Sequence, residues 1–348
     1  VSPGQNDTAK PWSAALGRVG IPTPRIPTNT HAFPRQGHGV GFATPCCLEE
    51  GSSLASAALG GIDMRLVTYV SAGGPRVAGV RGGEYVDLAQ TDPGLPATLK
   101  GLLAAGPDAL RRAAAAIASG RGFASAGVPL LAPIPDPEKV ICIGLNYADH
   151  AAESGAAIPT EPVVFNKFPT AVQAPGAPIV LPKCSDQVDY EAELVVIIGT
   201  GGRHIPVERA LEHVAGYACG HDVSARDWQL RKPGGQWLLG KTFDTFAPFG
   251  PALVTPDEVG DAGSLRIALR VDGQTLQDSN TRQLIFRIDQ LISYVSGVCT
   301  LKPGDVIFTG TPPGVGAARK PPIFLRTGNR VEVEIERIGI LENPVVGE

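Results

Sequence analysis

Apolar and polar positions along the chain change character at Met64. Residues 1–63 are rich in Pro, Gly, Ser and Thr and hold no sustained period. From Met64 onward, short apolar runs alternate with polar residues and stop at glycines. MRLVTYV (64–70), VAGVRG (77–82) and EYVDLA (84–89) alternate like strands separated by turns. TLKGLLAAGPDALRRAAAAIAS (98–119) has helical spacing, broken into two helices at Gly106-Pro107. The proline-spaced connector VPLLAPIPDP (128–137) then marks an expected domain boundary near residue 137.

Strands are predicted over Lys139–Leu145, PVVFNKF (162–168) and ELVVIIG (193–199). A helix is predicted near Val207–Ala215, a strand up to about Asp222, and a short helix after Ser224, with Ser224 as its cap. Arg266–Gln277 carries an Asp272-Gly273 hairpin pair. A helix at Ile288–Val298, a strand at Asp305–Thr309 and one long alternating strand at Arg330–Ile340 complete the reading. Strands outnumber helices, and the helices are not spaced as βαβ units. The pattern predicts a β-dominated α+β fold rather than a Rossmann fold or barrel.

Composition narrows the class. Of 348 residues, 43 are Gly and 32 are Pro, nearly twice the average share of about 12% and in keeping with a turn-rich β protein. Hydrophobic residues at 43% and charged residues at 18% supply a core and exclude a disordered chain. A net charge of −4 gives no basic field for nucleic acid. No apolar run approaches the roughly 18 residues that span a bilayer. The six cysteines (46, 47, 142, 184, 219 and 299) form no C-x-x-C pair, which predicts reduced thiols in an intracellular compartment, cytoplasm or mitochondrial matrix. Residues 1–48 set Lys10, Arg18, Arg25 and Arg35 against Asp7 alone, as transit segments do, yet show no amphipathic helix. Residues 1–63 as a whole are expected to be a dispensable, poorly structured extension.

Five short segments carry the candidate chemistry. In V-D-Y-E-A-E-L (188–194), Glu191 and Glu193 share one strand face, because side chains alternate with period two. An isolated E-x-E is ordinarily a solvated face, but this one runs straight into an apolar strand. In G-H-D-V-S-A-R-D (220–227), Asp222 lies at a strand end and reads as a third carboxylate or as a helix cap. Three oxygen ligands without Cys or His favour a hard cation, Mg²⁺ first and Mn²⁺ or Ca²⁺ next. In N-Y-A-D-H-A-A-E (146–153), His150 and Glu153 can meet across one helical turn and form a general base, or simply a surface pair. Lys241, in L-L-G-K-T-F-D (238–244), sits among apolar residues and requires an anionic partner. T-G-T-P-P-G-V-G (309–316) reads as a Gly-rich anion loop or a tight turn.

In this order the five segments resemble the fumarylacetoacetate hydrolase family, over about Met64 to Val346. The resemblance implies a mixed β-roll with a small N-terminal α/β domain (64–137), a catalytic domain (138–348) and a homodimer. It makes Glu191, Glu193 and Asp222 metal ligands. It makes His150 and Glu153 a catalytic dyad on a lid helix, with Lys241 and Gln229 near the substrate's oxygens. Thr311 becomes a contact for the substrate carboxylate, and Lys167 a pocket lysine. The expected reaction is Mg²⁺-dependent hydrolysis of a C–C bond in an acylpyruvate. The alternative is keto–enol tautomerisation of oxaloacetate, and a remote third reading is a non-catalytic metal-binding scaffold. Leu145 stands where acylpyruvate-cleaving relatives often carry Arg, so the pocket lacks a cation for a longer acyl substrate.

A chain that begins at Met64 is expected to stay soluble, to dimerise and to turn over as the full chain does. Size-exclusion chromatography and a turnover assay check this. An insoluble product would place residues 1–63 in the core.

Overall fold

The computed structural model describes residues 63–155 and 157–348, so the expectations for residues 1–62, Cys46 and Cys47 among them, lie outside the described residues. Its main sheet is built around a strand pair with no solvent face. Ala192–Ile198 pairs antiparallel with Val214–His221, and every residue of both strands is buried. Ala192, Leu194, Val196 and Ile198 enter one apolar cluster, while Val195 and Ile197 enter another on the opposite face. Apolar packing on both sides is what a covered sheet requires.

The sheet runs outward on both sides of this pair. On one side it continues through Ala247–Val254, Arg65–Ser71, Gly74–Arg81, Glu84–Asp87 and Gly122–Ala124. On the other it continues through Val306–Phe308, Val140–Gly144 and Val163–Lys167. Val306–Phe308 and Val140–Gly144 run parallel, so the segments that follow them leave the sheet at the same end. Helices Leu99–Ala104 and Pro107–Ser119 break at Gly106, whose φ of 82° suits glycine, and they supply the second cluster. That cluster takes residues from both sides of residue 137.

A second sheet orders Gln274–Asn280, Arg266–Val271, Arg330–Ile335, Gly339–Gly347 and Ile179–Leu181. The Asp272-Gly273 hairpin forms as expected, both residues having positive φ (50° and 79°). Three expectations are corrected. Arg330–Ile340 is not one strand but two, folded back at Arg337, whose φ is 63°. Val207–His213 is a 3₁₀ segment, because Val214 is already paired with Ile198 in the sheet. Ser224 does not cap the helix Arg226–Arg231; it lies in a two-residue strand, and its hydroxyl donates to the Asp222 carbonyl. Among the described residues no helix is long and apolar enough to cross a membrane. Cys142, Cys184, Cys219 and Cys299 are free thiols.

Phe308 is fully buried beside Phe249, at 6.3 Å between ring centroids, and lies over Gly220, where a Cβ would come within 2.8 Å of its ring. Phe308→Ala is expected to lower stability by about 3–5 kcal/mol. Urea unfolding measures it; a loss under about 1 kcal/mol would mean the site collapses around the vacancy.

Candidate functional site

The site is assembled where the buried strand pair meets the parallel one. Glu191 and Glu193 lie just before and within Ala192–Ile198, and Asp222 follows Val214–His221 directly. Cross-strand pairing brings them together: Ala192 lies opposite His221, and the Asp222 N–H donates to the Glu191 carbonyl at 3.0 Å. One oxygen from each of the three carboxylates lies within 4.8 Å of the others. All three residues are at most 6% exposed.

So much negative charge out of water requires compensation. Lys241 provides the nearest, donating to Glu191 Oε2 at 2.8 Å and to Asp222 Oδ2 at 2.9 Å. The anionic partner expected for Lys241 is thus two partners. Arg226 adds Nη2 to Glu191 Oε1 at 2.5 Å and Nε to Asp189 Oδ2 at 2.8 Å. Burial raises the Glu191 carboxyl, but Lys241 and Arg226 outweigh it and bring it down to about 2. No cation donates a recorded side-chain hydrogen bond to Glu193, and the charge of Lys241 lowers its carboxyl only from a distance. Burial first, then Asp222 and Glu191, push its carboxyl well above the usual range; the Gly310 N–H at 2.8 Å offsets this only in part. Burial lowers Lys241's hold on its proton, yet Asp222 and Glu191 reverse this and raise it. His221 is driven to about 3 by burial and by Lys167, so its ring is neutral.

The carboxylates fit a cation. Lys167 lies 2.6 Å from Asp222 Oδ1, but its three N–H bonds go to the carbonyls of Val223, Lys241 and Phe246 at 2.9, 2.6 and 2.6 Å. Lys167 is thus shared between three carbonyls and Asp222, and no second donor reaches Asp222 Oδ1. Three buried carboxylates whose oxygens lie this close together, with no Cys or His among them, are a donor set for a hard cation. Lys167 is 1% exposed, its Nζ engaged by three carbonyls and facing Asp222.

The dyad lies on the helix Ala148–Ser154, with His150 Nδ1 at 3.1 Å from Glu153 Oε2. Asn146 anchors this helix, donating to the carbonyls of Thr309 (2.7 Å) and Phe286 (3.1 Å) and accepting from the Phe286 N–H (2.8 Å). Leu145, at the turn into it, has a φ of 53°, and no cation stands at that position. Gln229 Oε1 accepts from Arg226 Nη1 at 2.9 Å. Thr311 Oγ1 accepts from Gln277 Nε2 at 2.9 Å, while Gln277 Oε1 accepts the Ala192 N–H.

The loop 309–316 does bind anions, and among the described residues these are the protein's own. Its N–H groups reach Glu193 from Gly310, Glu153 from Gly314 and Asp189 from Gly316. Sequence reasoning missed Asp189, Arg226 and Gln277. Asp189 had a signal, since Asp189, Glu191 and Glu193 recur every second residue. Arg226 and Gln277 had none.

Residues 139–346 match the family profile described as Fumarylacetoacetate (FAA) hydrolase C-terminal. The chain is 49% identical over 290 residues to a Xenopus laevis protein named Oxaloacetate tautomerase fahd2, mitochondrial, covering 82% of this chain and 91% of that one. It is 47% identical over 292 residues to the Homo sapiens protein named Oxaloacetate tautomerase FAHD2A, mitochondrial, covering 82% and 92%. A solved fumarylacetoacetate hydrolase from Exiguobacterium antarcticum is 35% identical, with a TM-score of 0.71, covering 82% of this chain and all of that one.

Two carboxyls displaced in opposite directions set the expected pH dependence. Glu191, held down at about 2, contributes stability that is present above its ordinary value of 4.5 and lost as pH falls through 4.5 toward 2. Glu193, held high, takes stability away as pH rises past 4.5, because the unfolded chain releases that proton first. A divalent cation held by Glu193 would displace that proton. Adding Mg²⁺ is therefore expected to raise the melting temperature more at about pH 8 than at about pH 6, with protons released on binding. Calorimetry in two buffers of different ionisation enthalpy reads this; zero proton release would mean Glu193 is not a ligand.

Proposed function

The chain belongs to the fumarylacetoacetate hydrolase family, and on that premise we propose that it is an oxaloacetate tautomerase. The observation that carries this reading is the buried Glu191–Glu193–Asp222 triad crossed by Lys241. It is supported by relatives, 47–49% identical over nine-tenths of their length, that bear that activity's name. The sequence alone put C–C hydrolysis first; the relatives favour tautomerisation.

Enol–keto exchange moves one proton between the C2 oxygen and C3 through an enolate. It needs positive charge at the oxygens and a group that carries the proton. A divalent cation held by Glu191, Glu193 and Asp222, with Mg²⁺ first and Mn²⁺ or Ca²⁺ as substitutes, would supply charge stabilisation at the substrate's carboxylate and carbonyl oxygens. Lys241 is held charged by two carboxylates, so it is a poor base and acts by offsetting oxyanion charge. Arg226 fixes the Gln229 carbonyl oxygen and turns the Gln229 amide toward donation. Gln277 likewise fixes Thr311 as an acceptor, which leaves the Thr311 proton for a substrate carboxylate. His150, its Nδ1 on Glu153, carries the proton.

Hydrolysis of an acylpyruvate remains the second reading, because the same dyad could activate water and the structural relative from Exiguobacterium antarcticum is named a hydrolase. Leu145 weighs against it, since it offers no cation to a longer acyl substrate. We also propose a homodimer in a reducing compartment. The four free thiols among the described residues and the word mitochondrial in the relatives' names support the compartment.

The decay of enol-oxaloacetate, followed by its ultraviolet absorbance, tests the reading. The wild type with Mg²⁺ is expected to accelerate it strongly. His150→Ala is expected to slow it by about 10²–10⁴-fold while Mg²⁺ still binds. A wild type that leaves the decay at its spontaneous rate but cleaves acetylpyruvate efficiently would establish hydrolysis instead.

A further inference from the structure

The loop and the lid helix meet at one residue. The Gly314 N–H lies 3.1 Å from both oxygens of Glu153, and Glu153 holds His150. The Gly314 carbonyl is gripped from the other side. It accepts from Tyr190 Oη at 3.2 Å and from Arg319 Nε at 3.1 Å, and Arg319 Nε also lies 3.0 Å from Tyr190 Oη. The far end of the guanidinium, Nη2, donates to the Leu276 carbonyl. The position requires glycine. Its φ is 101°, and a Cβ there would come within 2.2 Å of the Leu276 oxygen.

The chemistry of Arg319 is unusual for a half-buried arginine. Its recorded acceptors are two backbone carbonyls and a phenol, and no recorded ion pair uses it among the described residues. A rigid planar fork spent on neutral acceptors contributes geometry rather than charge neutralisation. The geometry it fixes is the direction of the Gly314 N–H.

We propose that Arg319, assisted by Tyr190, is a positioning residue that locks Gly314 so that its N–H holds the Glu153 carboxylate against His150. The proposal rests on the reading of His150–Glu153 as the proton carrier. It also joins two parts of the site: Gly310, four residues earlier in the same loop, donates to Glu193. Lid and cation site are thereby referred to one piece of backbone.

The test uses the full chain loaded with Mn²⁺, with Arg319→Ala and Tyr190→Phe as variants. The second removes a single hydroxyl and serves if the first fails to fold. Amide hydrogen exchange of residues 148–155 is expected to quicken in both, more in Arg319→Ala. Turnover of enol-oxaloacetate by Arg319→Ala is expected to fall about tenfold in kcat with little change in KM, the size of effect that misplacing a reacting group produces. Mn²⁺ binding should not change. In a His150→Ala background, Arg319→Ala should cause no further loss. Unchanged exchange in the lid overturns the latch, and so does an undiminished tenfold loss in the His150→Ala background. If His150→Ala alone keeps full turnover, the dyad reading falls, and lid exchange by itself then decides the latch.

Discussion

Like charges buried side by side are the constraint from which the rest of this structure follows. Glu191, Glu193 and Asp222 are drawn together by the sheet's own pairing, with no water to screen them. At low dielectric their repulsion is far larger than at a surface. Every unusual feature nearby answers it. Lys241 bridges two of the three carboxylates, Arg226 reaches from Glu191 to Asp189, and Lys167 faces Asp222. Glu193, farthest from those cations, is the carboxyl most ready to take a proton when no metal ion is bound. A site poised in this way is a natural place to stabilise a developing enolate, because its fields are fixed before any substrate arrives.

The backbone of residues 309–316 distributes that order. It contributes no charged side chain, yet its N–H groups reach Glu193, Glu153 and Asp189. Such close approach demands glycine at particular points. A Cβ on Gly316 would come within 1.8 Å of the Ile323 oxygen and 2.6 Å of Asp189. The loop reads as an anion binder in sequence because it is one, although the anions belong to the chain itself.

Much of this was legible in the sequence, for identifiable reasons. The central strands announced themselves through long apolar runs, and the hairpin through Asp272-Gly273. The carboxylate pair was legible because period two places Glu191 and Glu193 on one side. What stayed hidden was partnership across long separations. Arg226 reads as the first residue of a helix, and nothing local says that it reaches Glu191 and Asp189. Lys167 entered only through the family resemblance, because a lysine after an apolar strand does not by itself reveal the three carbonyls and the carboxylate around it. The single strand expected over 330–340 failed because Arg337 adopts a positive φ that its side chain does not signal.

The parallel pairing of Val306–Phe308 with Val140–Gly144 has a consequence for biosynthesis. Those two strands deliver the lid helix and the Gly-rich loop to the same edge, from stretches about 160 residues apart in the chain. Parallel pairing over such a distance is slow to form. A ribosome making this protein releases the lid, both glutamates and Asp222 well before the backbone that orients them. Until the backbone of residues 309–316 emerges, the nascent protein carries a cluster of acids without the N–H groups that orient Glu193 and Glu153, beside an unfinished sheet edge, a natural point of contact for a chaperone.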